Sequence, residues 1–272
     1  MVRYDLRNCV LNRNRWLLPA LFWLIAVFFI RFYLDFHDNL TFGSCLFIVL
    51  AGCEPVDIGQ KAFTLPVLWM FLQMGYMFFT IEYPTRDMNI FGQQMMIRSG
   101  SKLRWLLSKM LWLLTSIVMY WGIGWLLIML FCLINGLPVS LRVDGELPPS
   151  VLPSCDKYSE IYSASEMVIP LIIAPVVSSL TVALVQMMFA IMLNEILAAS
   201  VSVFLIVWSA CIKTPIAFGN YAMMERCNIF STKGLSFVKG LPLMFFIAAC
   251  VIALTMILFS KKDILEPKKN GS

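Results

Sequence analysis

Apolar residues in this chain run in long blocks, and charged residues fall between the blocks. Trp16–Ile30 contains no Asp, Glu, Lys or Arg, and with Arg31 at its margin the run extends to Phe36. Further runs cover 62–81, 110–141, 167–194, 196–212 and 240–260. A helix rises about 1.5 Å per residue and a bilayer's hydrocarbon core is about 30 Å thick, so roughly 20 apolar residues suffice to cross it. The pattern predicts six transmembrane helices, at about 16–36, 62–81, 107–136, 167–193, 196–212 and 240–260. Only Asn194 and Glu195 separate the fourth and fifth, which predicts a tight hairpin. Phe42–Cys53 is also apolar but too short to cross, and reads as a re-entrant or interfacial segment. The expected fold class is an all-α polytopic membrane protein, one domain over 1–272.

Composition agrees. Of the 272 residues, 60% are hydrophobic and 14% charged, against about 25% charged in an ordinary soluble domain. The net charge of +5 lies in short flanks and makes no basic face, so nucleic acid is not an expected partner. Lys and Arg set the orientation. Placing both termini in the cytoplasm puts 13 of the 21 there: Arg3, Arg7, Arg13 and Arg15; Arg86, Arg98, Lys102, Arg104 and Lys109; Lys261, Lys262, Lys268 and Lys269. Asp144, Glu146, Asp156, Glu160 and Glu166 then fall in one outer loop. The outer loops are 37–61, 137–166 and 213–239.

Candidate chemistry is sparse. The chain has one histidine, His37, and no Gly-rich phosphate loop with a lysine, so no catalytic residue, metal ligand or cofactor-binding motif is assigned. Of eight cysteines, Cys45, Cys53, Cys155 and Cys227 fall on the expected outer side, where disulfides and unpaired thiols are both open; Cys132, Cys211 and Cys250 are expected to pack. No charge lies in mid-span, which removes the usual proton relay of ion-coupled transport and points to energy supplied from outside the chain.

The loop 82–106 between spans two and three is the informative one. Pro84 and Thr85 can start a helix with Asp87 in its first turn, and Met88, Phe91 and Met95 then share one apolar face while Asn89 and Gln94 take others. Arg98-Ser-Gly-Ser is a break, after which Arg98, Lys102, Arg104, Trp105 and Lys109 serve as anchors at the inner membrane surface. Such a helix either docks a soluble partner or lies on the bilayer.

Six spans, both ends inside, a helix-bearing loop after span two, and the stretch Arg98, Ser99, Ser101, Lys102, Trp105, Lys109 resemble the permease subunits of type-two ABC exporters. Phe218-Gly-Asn-Tyr-Ala-Met-Met-Glu-Arg226 is similar to the outer segment before the last span in permeases of peptide and bacteriocin exporter or immunity systems, with exporters of lantibiotics or phenol-soluble modulins the most similar branch. The resemblance implies a permease homodimer enclosing the cargo path, two cassette ATPase subunits that bind ATP and Mg, and a coupling helix between spans two and three that contacts them. It also implies a bacterial plasma membrane, a peptide cargo, and an amphipathic N-terminal helix along the inner membrane surface, a role Asp5–Asn14 can fill with Leu6, Val10 and Leu11 toward lipid. Met88, Asn89, Phe91, Gln94 and Met95 are the expected coupling residues. Trp23, Phe71 and Phe204 are candidates for the cargo path or dimer wall. A non-transporting scaffold or immunity protein that binds a peptide, or an intramembrane enzyme, are the rival functions.

Overall fold

The computed structural model describes residues 4, 5, 7, 13–34, 40–53, 65–88, 92–99, 101–143, 162–231 and 234–262. The chain is all-helical, with no strand among the described residues. Its elements are α1 (Arg13–Leu34), α2 (Phe42–Leu50), α3 (Val67–Asp87), α4 (Gln93–Ser99), α5 (Lys102–Ile134), α6 (Ala164–Met192), α7 (Glu195–Cys211), two single turns of 3-10 helix at Phe218–Ala222 and Met224–Arg226, and α8 (Phe237–Lys261). Four helices are long and apolar enough to cross a membrane: α1 over Arg15–Phe32, α5, α6 and α8. This is the pattern of a membrane protein. Two more, α3 with 21 residues and α7 with 17, run beside them.

The six long helices alternate in direction, so the bundle has two distinct ends. One gathers Arg15, Asp87, Lys102, Met192, Glu195 and Lys262, tied by bonds such as Lys102 Nζ to the carbonyl of Lys262 at 2.8 Å and Lys262 Nζ to that of Ile191 at 2.6 Å. Those lysines satisfy last-turn carbonyls of α6 and α8, where a cation also suits the helix dipole. The other end gathers α2, the 3-10 turns and the loop after α5.

Between the ends, aromatic and polar side chains lock the helices together. Trp23 is buried against Tyr120 and Trp121, with ring centroids at 5.8 and 5.3 Å. Gly124 faces it, and a Cβ there would collide with the indole. Ser179 on α6 accepts from Trp121 Nε1 at 3.1 Å and donates to Gln73 on α3 at 3.3 Å. Gln186 Nε2 reaches the Met77 carbonyl at 2.9 Å. These bonds cross between helices with no water-facing alternative for the polar groups.

Several boundaries differ from the sequence pattern. α3 starts at Val67 and runs through Pro84 to Asp87, whereas the pattern ends this span at 81 and starts a new helix at Pro84. Pro84 removes one backbone donor from the last turn of α3, and the helix ends three residues later. Asp87 therefore lies at a helix C-terminus, not in a first turn. α5 begins at Lys102, with the Ser101 hydroxyl accepting from the Arg104 N–H, so basic residues assigned to a loop are helical. α6 begins at Ala164 behind a capping box of Ser163 and Glu166, and bends into a π-helical turn at Ile169–Ile173 beside Pro170. α2 spans nine residues, about 14 Å of helix, well short of a bilayer. Its residues Gly43–Leu50 are all buried.

Candidate functional site

The most unusual chemistry lies at the Lys109 end. Lys109 is on α5 and 1% exposed, and its ammonium sits between two carboxylates: Asp5 Oδ1 at 2.7 Å and Asp87 Oδ2 at 2.7 Å. Asp5, in the N-terminal segment, also accepts from Tyr83 Oη at 2.7 Å and from the Ser108 hydroxyl. Asp87 accepts from Trp105 Nε1 at 2.9 Å. Both carboxylates therefore carry further hydrogen bonds, the condition under which buried charges are tolerated. Lys109 also lies over the Tyr83 ring, 4.6 Å from its centroid. Tyr83 stacks on Trp112 at 4.3 Å, and the Arg15 guanidinium lies 4.2 Å over Trp112.

The arrangement follows from the helices. Tyr83 and Asp87 are one turn apart on α3, and Trp105, Ser108, Lys109 and Trp112 share one face of α5. A carboxylate at the C-terminus of α3 opposes the helix dipole; the ammonium of Lys109 and the indole of Trp105 offset that. A cavity of about 410 Å³ opens beside the cluster, lined by Tyr4, Asp5, Asp87, Trp105 and Lys109 on one side and by Gln94, Met95 and Arg98 of α4 on the other. Among the described residues no group of three or more His, Cys, Asp or Glu is placed to hold a metal ion.

Several sequence-derived residues fall elsewhere than expected. Trp105 and Lys109 are not surface anchors: both are buried, because acidic partners from α3 and the N-terminal segment draw Lys109 inward. Arg98 and Arg104 are exposed, and Lys102 is bonded to the end of α8. Met88 follows α3 and is buried, while Met95 is half-buried on α4. The outward face of α4 is Gln94, Ile97 and Arg98, with Ile97 67% exposed. Asn89 and Phe91 lie outside the described residues, as do Leu6, Val10, Leu11 and His37. Trp23 is buried within its own chain and offers no surface to a second copy; Phe71 stacks on Phe22 at 4.3 Å; Phe204 is 65% exposed beside Trp208.

At the opposite end, Arg226 is 1% exposed. Its guanidinium donates to the carbonyls of Ser209, Ala210 and Ile212 at the C-terminus of α7, to the Cys53 carbonyl at 2.8 Å and to Asn220 Oδ1. One side chain thus closes the end of α7 and fastens the chain after α2 to it. Burial lowers the Arg226 pKa, opposed by Cys53 and Glu225. Burial also pushes the Cys53 thiol up to about 11, against the pull of Arg226, and the Cys227 thiol up to about 12. Neither is a reactive thiolate at neutral pH.

A third feature is a groove of about 610 Å³ between α1, α2 and α3, lined by apolar side chains that include Phe28, Phe32, Leu65, Val67 and Phe71. No known family model matches the chain, and neither does any curated protein or solved structure.

Proposed function

We propose that the chain is the membrane-spanning permease subunit of an ATP-driven exporter of the type-two ABC class. In this reading the six long helices all cross the membrane, the Lys109 end and both termini face the cytoplasm, and a second copy completes the path for a hydrophobic or amphipathic cargo, a peptide. ATP and Mg are handled by separate cassette subunits.

The observation that carries the reading is α4. It is a seven-residue helix between α3 and α5, at the end of the bundle richest in basic residues. It presents Gln94, Ile97 and Arg98 outward while Met96 is buried in the core. A short amphipathic helix docked on the bundle by one face and exposed on the other suits a groove in a soluble partner. Behind it, across the cavity that both line, the Lys109 cluster ties the N-terminal segment, α3 and α5 together.

The test is isolation of the tagged chain from its native membranes in mild detergent. A cassette ATPase should co-purify in equal amount, and its ATP turnover should respond to cargo. Recovery of the chain without any ATPase, after crosslinking in intact cells as well, would overturn the reading. Orientation is tested separately in a background lacking native cysteines. Cysteines at Ser101 and Lys268 should be shielded from an impermeant reagent outside intact cells, and one at Ser150 labelled.

A further inference from the structure

We propose that Cys45 and Cys132 are a disulfide-forming pair that staples α2 to α5; their oxidation in the cell rests on the orientation above, which places this end of the bundle outside. The two sulfurs are 3.9 Å apart, and both residues are fully buried. Both are free thiols in this structure, and a disulfide needs the sulfurs about 2 Å closer.

The backbones around the pair are already fixed to each other. The N–H groups of Phe42 and Gly43 donate to the carbonyls of Pro138 at 3.1 Å and Ser140 at 2.8 Å, just past the end of α5. Thr41 caps α2 through the Ser44 N–H and also donates to the Arg142 carbonyl. Gly43 lies so close to the carbonyls of Leu141 and Arg142 that a Cβ there would collide with them. α2 thus cannot slide along α5 without breaking these bonds, and the thiols stay opposed. Beyond α2, Phe47 packs edge-on against Phe230, at 4.7 Å between centroids. The staple would hold α2 and this outer cluster onto α5.

The chemistry is thiol–disulfide exchange with an oxidant disulfide of the extracytoplasmic side. One cysteine thiolate attacks a sulfur of the oxidant and releases the first oxidant thiol. The second cysteine then attacks the mixed disulfide and releases the other. Two S–H bonds and the oxidant's S–S bond are lost, and one protein S–S bond and two oxidant thiols are formed. The cysteines are oxidised and the oxidant is reduced by two electrons. Since both sulfurs are sealed in the folded chain, exchange takes place before α2 docks. The finished bond is then shielded from reductants in the native state.

The test is peptide mapping of the full chain, isolated without reductant from membranes treated with an alkylating agent. The expected result is a peptide linking Cys45 to Cys132, two hydrogens lighter than its two free halves. It should survive dithiothreitol in the native protein and be lost when the protein is unfolded in dithiothreitol. Recovery of both cysteines as alkylated thiols after unfolding in the alkylating agent would overturn the proposal. A single cysteine at Val139 separates this from the orientation. If Val139→Cys is labelled from outside while the pair is reduced, the disulfide alone is wrong. If the pair is linked and Val139→Cys is not labelled from outside, the disulfide stands and the orientation falls.

Discussion

The ammonium of Lys109 lies 2.7 Å from the carboxylate of Asp5, 104 residues earlier in the chain, with both groups almost fully buried. Removing one partner strands the other charge in a dry site, at about 3–5 kcal/mol. Lys109→Met should therefore lower the thermal midpoint of the detergent-solubilised protein sharply. It should also expose the N-terminal segment to protease. Asp5→Asn keeps hydrogen-bonding atoms in place and should cost less. An unchanged midpoint and unchanged digestion for Lys109→Met would show that the cluster contributes nothing to holding the N-terminal segment.

Arg226 acts at the other end through geometry as well as charge. A lysine cannot reproduce a planar fork that serves three carbonyls of α7, the Cys53 carbonyl and Asn220. Hydrogen bonds from a charged donor contribute about 1.5–3 kcal/mol each when buried. Arg226→Lys and Arg226→Ala should both destabilise the protein, the second more. The midpoint should fall by roughly 2–4 °C for each kcal/mol lost. If Arg226→Lys matched the parent protein, charge alone would account for the residue.

Gly124 lies against the indole of Trp23, where α1 crosses α5. Gly124→Ala forces that ring to move, and overpacking of this kind costs about 1–3 kcal/mol. A smaller residue should relieve it: Trp23→Leu combined with Gly124→Ala should be less destabilised than the sum of the two single changes. Additive losses in a double-mutant cycle on the thermal midpoint would show that the two positions do not press on each other.

The apolar runs exposed the long helices because lipid-facing and core-facing positions are alike apolar, so hydropathy reads the span and not the face. That explains the boundary errors. Helices continue past the apolar runs into Lys102–Lys109 and Glu82–Asp87, where charge suggests a loop although the backbone stays helical. The Lys109 cluster was illegible for a different reason. A lysine in a basic flank reads as a headgroup anchor, and only tertiary packing brings Asp5 and Asp87 to it. The same holds for Trp23, whose size and apolarity suit a lipid or subunit surface equally well until Gly124 opens a place for it inside. Met88 and Met95 matched one helical face by spacing, but tertiary packing buries Met88 and leaves Met95 half-buried on α4. For Arg226, the run Phe218–Arg226 marked the segment, but nothing in it announced that the arginine would turn inward to the end of α7.

The measurement closest to the central claim is ATPase docking to α4. Ile97 is the large apolar side chain that α4 exposes, between Gln94 and Arg98. If α4 seats in a groove of a cassette subunit, Ile97→Asp places a charge in that groove. Loss of a central anchor is worth about 2 kcal/mol or more, and each 1.4 kcal/mol is about tenfold in affinity. Co-purification of the ATPase with the Ile97→Asp chain should fall at least about tenfold, with cargo-stimulated turnover lost in proportion. Membrane levels and the thermal midpoint of the chain itself should match the parent protein, because the side chain points away from the bundle. An Ile97→Asp chain that recovers the ATPase in full and supports full cargo-stimulated turnover would contradict the account.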